Sequence, residues 1–265
     1  MPAKTEQRVL FLSTSTLWYK EGDDPSLYDL VMRELTRRAP GYEWPPAVVP
    51  LFFSPRMATR AIERAKLHAP DAIVLVTSNN QFLAQPTLKR IEKMGVMYKS
   101  ARKVGYALRQ LAGGGLDGSS SARGLLFRGP QAMARRILGE DVPPVSMADS
   151  LAQTLETLSR LVELEDVPLV CRIGQLSLLP ASPEVARQNR ILVEEYNARV
   201  IDFCKQRHIP WYDMGARLSA AGIPIQWASD GTHMAQPIRE FEAPILAGFI
   251  LKALHLGSPS VAEAL

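Results

Sequence analysis

Apolar residues in this chain gather in short runs of strand length, separated by stretches whose apolar positions recur at helical spacing. Val9-Leu-Phe-Leu12 is the first such run and predicts a buried strand. After a polar stretch to Pro25, Ser26 caps a predicted helix with Leu27, Leu30, Val31 and Leu35 on one face, and Pro40-Gly41 stops it. Residues 47–53 form the second predicted strand. Residues 57–67 follow as a helix with Ala58, Ile62 and Ala65 aligned. Residues 71–76 are apolar throughout after Asp71, as a central parallel strand requires. A helix is predicted over 86–97, and then the rhythm breaks. It resumes with a helix capped by Ser146 that runs to about Glu165, and a strand over 167–173. A long helix over 183–207 comes next, with Val185, Ile191, Val193, Tyr196, Val200 and Phe203 inward. The pattern closes with a strand over 209–212, a helix over about 238–255 and a frayed tail over 256–265. Strands alternating with helices predict a parallel sheet covered on both faces: an α/β, flavodoxin-like, three-layer fold with five parallel strands.

Composition narrows the picture. The chain has 265 residues, 46% hydrophobic and 22% charged, which is a globular balance. No apolar run approaches the ~18–20 residues of a membrane span. The polar start carries no secretory pattern, and Cys171 and Cys204 stand alone without paired spacing. Both features point to a cytoplasmic compartment. The pattern predicts one domain over 1–265, with a basic, Gly/Ser-containing insertion at about 98–146. Residues 98–139 hold eight basic side chains and one acid, a charge of +7, and the rest of the chain carries −3. The insertion has few aromatics to stack bases, so a nucleic-acid partner is not expected. Its cations would suit an anionic small molecule.

Ligands of open parallel sheets bind beyond the C-terminal strand ends. Three of those ends carry unusual polar sets: Ser13-Thr-Ser-Thr16, Thr77-Ser-Asn-Asn80 and, past a loop after the last strand, Asp230-Gly-Thr-His233. A hydroxyl, a carboxamide, a carboxylate and an imidazole are the parts that acyl transfer needs. A serine hydroxyl becomes nucleophilic when a base takes its proton, and His233 is the candidate base. Asp230 is placed to hold the other ring nitrogen. The Asn79 carboxamide, and backbone amides at Ser15 and near Ser54, are candidate oxyanion donors. A helix following Ser15 would add its dipole to them. Ser13, Thr14 and Thr16 compete with Ser15 for the nucleophile's role. Trp18 and Trp227 flank two of these blocks and are candidates to line an acyl or aryl pocket.

This order of blocks resembles the SGNH hydrolases, also called GDSL esterases and lipases. That family has a Gly-Asp-Ser block after the first strand, a glycine after the second, Gly-x-Asn-Asp after the third and Asp-x-x-His near the C-terminus. The resemblance places Ser15 on the nucleophile and Asn79 on the oxyanion asparagine. Asp230 and His233 match the fourth block unchanged. It implies an SGNH-type fold and hydrolysis of a carboxylic ester, or a related acyl bond, through an acyl-serine intermediate. It also implies a small-molecule ester or acyl substrate and no cofactor. Three departures stand out. Ser13-Thr14 replaces Gly-Asp, Asn80 replaces the closing aspartate, and Ser54 stands in for the missing glycine as oxyanion donor. Two other readings share the same residues: an acyltransferase, and a catalytically weakened SGNH-like binding protein.

Overall fold

The computed structural model describes residues 5–14, 16–51, 53–79, 82–83, 146–164, 166–174, 183–226, 228 and 233–256. The helix predicted over 86–97, residues 98–145 of the insertion, and 257–265 lie outside the described residues.

Seven strands and six helices are described. They are β1 (Thr5–Glu6), β2 (Val9–Ser13), α1 (Leu27–Arg38), β3 (Tyr42–Glu43), β4 (Val48–Pro50), α2 (Met57–His68) and β5 (Ala72–Val76). After the insertion come α3 (Met147–Val162), β6 (Leu169–Ile173), α4 (Pro183–Gln206), β7 (Trp211–Asp213), α5 (Met214–Ala220) and α6 (Gln236–Ala253). Five strands form one sheet in the order β4-β2-β5-β6-β7, and every neighbouring pair is parallel. The expected five-stranded α/β sheet is therefore observed. Two features went unpredicted. The two-residue pairing of β1 with β3 is too short to leave a periodic signal. The short helix α5 starts where the Asp213 carboxylate accepts from the Ala216 amide at 3.1 Å.

The alternation of side chains across the pleat sorts the core into two layers. Leu10, Leu12, Ile73, Leu75, Leu169, Cys171 and Ile173 face one cluster, shared with α2, α3 and α4. Val9, Phe11, Val74, Val76 and Val170 face the other, shared with α1 and α6. β2, β5 and β6 are buried at every position, as strands covered on both faces must be.

The helices begin where the sequence places their caps. Ser26 Oγ accepts from the Asp29 amide at 3.1 Å, and the Asp29 carboxylate accepts in return from the Ser26 amide at 2.9 Å. Ser146 caps α3 in the same way, accepting from the Asp149 amide at 3.0 Å. On α4 the buried stripe is Asn189, Val193, Tyr196, Val200 and Cys204, with Phe203 half-buried. Ile191 is not inward as expected but 55% exposed. Two residues turn a helix by about 200°, so Ile191 lies opposite the stripe that passes through Asn189 and Val193. The Val185 side chain is outside the described residues.

One polar position interrupts the α6 face of the sheet. Beside Val74 and Val76 of β5, β6 presents Arg172, 2% exposed. Glu242 of α6 meets it with a bidentate pair, Nη2 to Oε2 at 2.9 Å and Nε to Oε1, and the Tyr212 hydroxyl donates to the same carboxylate at 2.8 Å. Burial works against the guanidinium charge, but Glu242 holds its pKa above the ordinary arginine value. Burial and the Glu242 carboxylate push the Tyr212 phenol well up, so it stays protonated and donates. The two cysteines are buried and free, Cys171 on β6 and Cys204 on α4.

Candidate active site

The sheet order puts β4, β2 and β5 side by side, so their C-terminal ends deliver three loops to one edge, about 4.8 Å apart from strand to strand. Ser13 ends β2 opposite Pro50 of β4. Thr14 follows it, then residue 15, then a turn over 16–18. Ser54 lies just past β4, its carbonyl accepting from the Met57 amide at 2.9 Å as the chain enters α2. Asn79 lies three residues past β5. A cleft of about 20 Å³ opens among these ends, lined by Thr14, Leu51, Phe53, Met57, Leu75, Val76, Thr77, Ser78 and Thr154.

Two of the expected oxyanion-hole residues carry buried side-chain atoms without hydrogen-bond partners among the described residues. Asn79 is 2% exposed, and its Nδ2 has no hydrogen-bond partner among the described residues. Ser54 Oγ is likewise buried and unpartnered. A buried polar group without a partner costs about 1–3 kcal/mol, so such groups cluster where something else is meant to satisfy them. Ser13 Oγ, at the fully buried end of β2, also has no hydrogen-bond partner among the described residues. Thr14 and Thr16 are half-buried, with their hydroxyls 3.4 Å apart. Ser15 itself lies outside the described residues.

The helix that follows Ser15 begins at Leu27, behind its expected cap Ser26. Its first amides are already committed, Tyr28 N–H to the Leu17 carbonyl at 2.9 Å and Asp29 N–H to Ser26 Oγ. Their dipole end is therefore not free for an oxyanion. Trp18 packs against the cluster under α1 and α6, and Trp227 lies outside the described residues.

His233 sits on the turn that enters α6. The Ala228 amide donates to the His233 carbonyl at 2.7 Å and the Ala235 amide to the Gln226 carbonyl at 3.0 Å, so the two limbs of this turn are tied together. Asp230, between those limbs in the chain, lies outside the described residues. The imidazole is half-buried and lies flat on the Tyr19 ring, with centroids 3.9 Å apart and planes 4° apart. Tyr19 is four residues beyond position 15, so the histidine-bearing turn meets the loop that leaves β2. Arg239 of α6 holds that loop from behind. It is 2% exposed, and its Nη1 donates to the Tyr19 carbonyl at 3.0 Å. Sequence reasoning missed both Tyr19 and Arg239. A signal existed for the second: Arg239, Glu240 and Glu242 cluster just ahead of an uncharged, apolar run over 243–251 of the same helix.

The sheet edge thus carries the Asn79 and Ser54 loops on either side of the loop that leaves β2, and His233 meets that middle loop at Tyr19. The sequence matches no family model and no curated protein. Solved structures share the fold at low identity. A lipase/acylhydrolase from Enterococcus faecalis is 12% identical, with a TM-score of 0.53, over 97% of this chain and 98% of that one. An acetylxylan esterase from Geobacillus stearothermophilus is 11% identical, with a TM-score of 0.54, over 96% of each chain. An α/β hydrolase from the metagenome of Lake Arreo, Spain, is 13% identical, with a TM-score of 0.52, over 97% of this chain and 99% of that one. Catalytic mutants of the Geobacillus esterase replace a serine, an aspartate and, three positions after the aspartate, a histidine. The chain shares the fold of these solved structures, with five parallel strands between helices.

Proposed function

We propose that this protein is a serine hydrolase of carboxylic esters, and the observation that carries the reading is the Asn79 amide, buried and unpartnered beside the loop that leaves β2. Ser15 Oγ attacks the acyl carbon while its proton passes to His233. The carbonyl π electrons move onto oxygen, and Asn79 Nδ2, with donors in the Ser54 loop, binds that oxyanion. The intermediate collapses, the ester C–O bond breaks, and His233 returns the proton to the leaving alcohol. Water then attacks the acyl-serine, His233 takes a proton from it, and the carboxylic acid leaves as Ser15 regains its hydrogen. Asp230 holds the second ring nitrogen, a role for which its spacing of three from His233 is suited. The same spacing separates the aspartate and histidine replaced in catalytic mutants of the Geobacillus esterase. An acceptor hydroxyl in place of water would make the same site an acyltransferase.

The cleft supports a short acyl group. Its volume of about 20 Å³ is only somewhat more than the roughly 10–15 Å³ that holds one water, which favours a small acyl substituent over a long one. Phe53, Met57 and Leu51 give it an apolar wall, and Thr14 and Ser78 place it next to Ser15 and Asn79 in the chain.

A fluorophosphonate probe followed by peptide mapping tests the mechanism. Labelling at Ser15, lost in Ser15→Ala and His233→Ala, is the expected result. An unlabelled protein would favour the binding-protein reading, which the replacement of Gly-Asp by Ser13-Thr14 motivates. A p-nitrophenyl ester series should show kcat/KM highest for acetate and falling from butyrate onward.

A further inference from the structure

We propose that Tyr19 and Arg239 form a brace that fixes the imidazole plane of His233 relative to the loop leaving β2; this rests on the reading of His233 as the general base. Three contacts build it. The His233 and Tyr19 rings are parallel to within 4° with centroids at 3.9 Å. The Tyr19 carbonyl accepts from Arg239 Nη1 at 3.0 Å, and the Arg239 guanidinium carbon lies 6.0 Å from the Tyr19 ring centre. Arg239 Nη2 lies 3.6 Å from the Asp24 carboxylate, which belongs to the same loop. One α6 side chain therefore holds that loop at two places, 220 and 215 residues away in sequence.

Packing alone does not explain Arg239. It is 2% exposed, among Ile238, Ala243 and Leu246, and its Nε and Nη2 lack hydrogen-bond partners among the described residues. A methionine would fill the same volume without a buried guanidinium whose Nε lacks a hydrogen-bond partner among the described residues and whose Nη2 has only the Asp24 carboxylate at 3.6 Å. What the arginine supplies is reach: its planar fork spans from the helix to the backbone of residue 19.

The brace matters because an imidazole otherwise turns about its Cβ–Cγ bond. Stacking closes that freedom, since rotation out of parallel drives the ring edge into the Tyr19 face. A base that accepts from one side and donates to a carboxylate on the other must hold both ring nitrogens in line. The imidazolium formed when His233 takes the proton also lies against an electron-rich face. Tyr19 and Arg239 are accordingly positioning residues that act through His233.

The test compares Tyr19→Leu, Tyr19→Phe and Arg239→Met with wild type, using p-nitrophenyl acetate kinetics and the His233 ring-proton resonances. With four histidines in the chain, His233→Asn identifies those resonances. Tyr19→Leu should lower kcat roughly 10–10²-fold, the scale of a small misplacement of a catalytic group, with KM held within about twofold. Its His233 ring protons should move downfield as the shielding ring is lost. Tyr19→Phe, which keeps the ring, should hold the His233 ring protons near their wild-type positions and keep more of kcat than Tyr19→Leu. Arg239→Met should follow Tyr19→Leu in direction, with thermal melts reporting that it is folded. Unmoved His233 resonances in Tyr19→Leu, or an unchanged kcat, would overturn the brace. A wild type without ester turnover, whose resonances nonetheless move as expected, would overturn the hydrolase reading and support the brace.

Discussion

The Gly174 amide donates to Thr77 Oγ1 at 2.7 Å, across the ends of two neighbouring strands and two residues before Asn79. The Thr77 amide in turn donates to the Arg172 carbonyl at 3.0 Å, and Asn197 Nδ2 holds the Gly174 carbonyl at 3.0 Å. The approach is so close that a Cβ on residue 174 would sit 2.6 Å from the Thr77 carbonyl oxygen. Glycine is required there by contact and not by its backbone angles. Gly174→Ala should push β6 off the end of β5, destabilise the protein by about 1–3 kcal/mol, and lower kcat by displacing Asn79. Urea unfolding and acetate-ester kinetics check both. A variant as stable as wild type would show that the strand ends yield without strain.

Asn79→Ala should separate activity from stability. Its Nδ2 makes no hydrogen bond among the described residues, so no such bond between them is lost from the fold. In the transition state the same amide binds the oxyanion, and its removal should cost roughly 10²–10³-fold in kcat. A large fall in melting temperature with kcat retained would make Asn79 a turn residue only.

The Arg172–Glu242 pair should behave as a buried unit. Glu242→Ala leaves a guanidinium buried without its partner, which should cost about 3–5 kcal/mol. The double replacement Arg172→Met with Glu242→Leu removes both charges together and should recover most of that loss. Equal instability of the single and double variants in chemical denaturation would mean that shape, and not charge, is what the site demands.

The start of α1 should weaken in acid. Burial works against the Asp29 charge, but Lys20 at 2.7 Å and the Ser26 amide and hydroxyl outweigh it and hold the carboxyl below its ordinary value. A depressed folded pKa gives stability that is present above the unfolded value of 3.8 and is lost as pH falls through the lower folded one. The stability difference between wild type and Asp29→Asn should be constant from pH 7 to about 5 and shrink below pH 4. A difference independent of pH would mean that the cap works as well without the charge.

The +7 segment predicts an anionic preference in the substrate. From about 10 mM to 500 mM salt, kcat/KM should fall for a carboxylate-bearing ester and stay level for a neutral one, because screening shortens the reach of exposed charge. Replacing Arg123, Arg128, Arg135 and Arg136 with Gln should flatten the charged ester's curve. Parallel curves for the two esters would leave the basic segment without a part in substrate choice.

Much of this was legible in order along the chain. A run such as residues 72–76 excludes every environment except a strand covered on both faces, so the parallel sheet follows from hydrophobicity alone. Ser26 and Ser146 announced their helices because a cap is a local contact between residues three apart. Asn79 and Ser54 stood out by their places after apolar runs, since strands of a parallel sheet end on the same side.

What lay beyond the sequence was any relation between residues far apart in it. Leu12 and Ser13 end a buried strand whichever strands flank it, but only the order β4-β2-β5 puts the Ser54 and Asn79 loops on its two sides. Ile191 fitted an inward stripe by composition, yet the helix is turned on its axis so that Asn189 and Val193 are buried and Ile191 is exposed. Tyr19 and Arg239 are ordinary residues at their own positions. They become a brace only when α6 folds back along the sheet and lays residue 239 under residue 19, and His233 against its ring. Periodicity and capping are short-range interactions that a linear chain can display. A contact across 220 residues exists only after the chain's buried faces have chosen their partners.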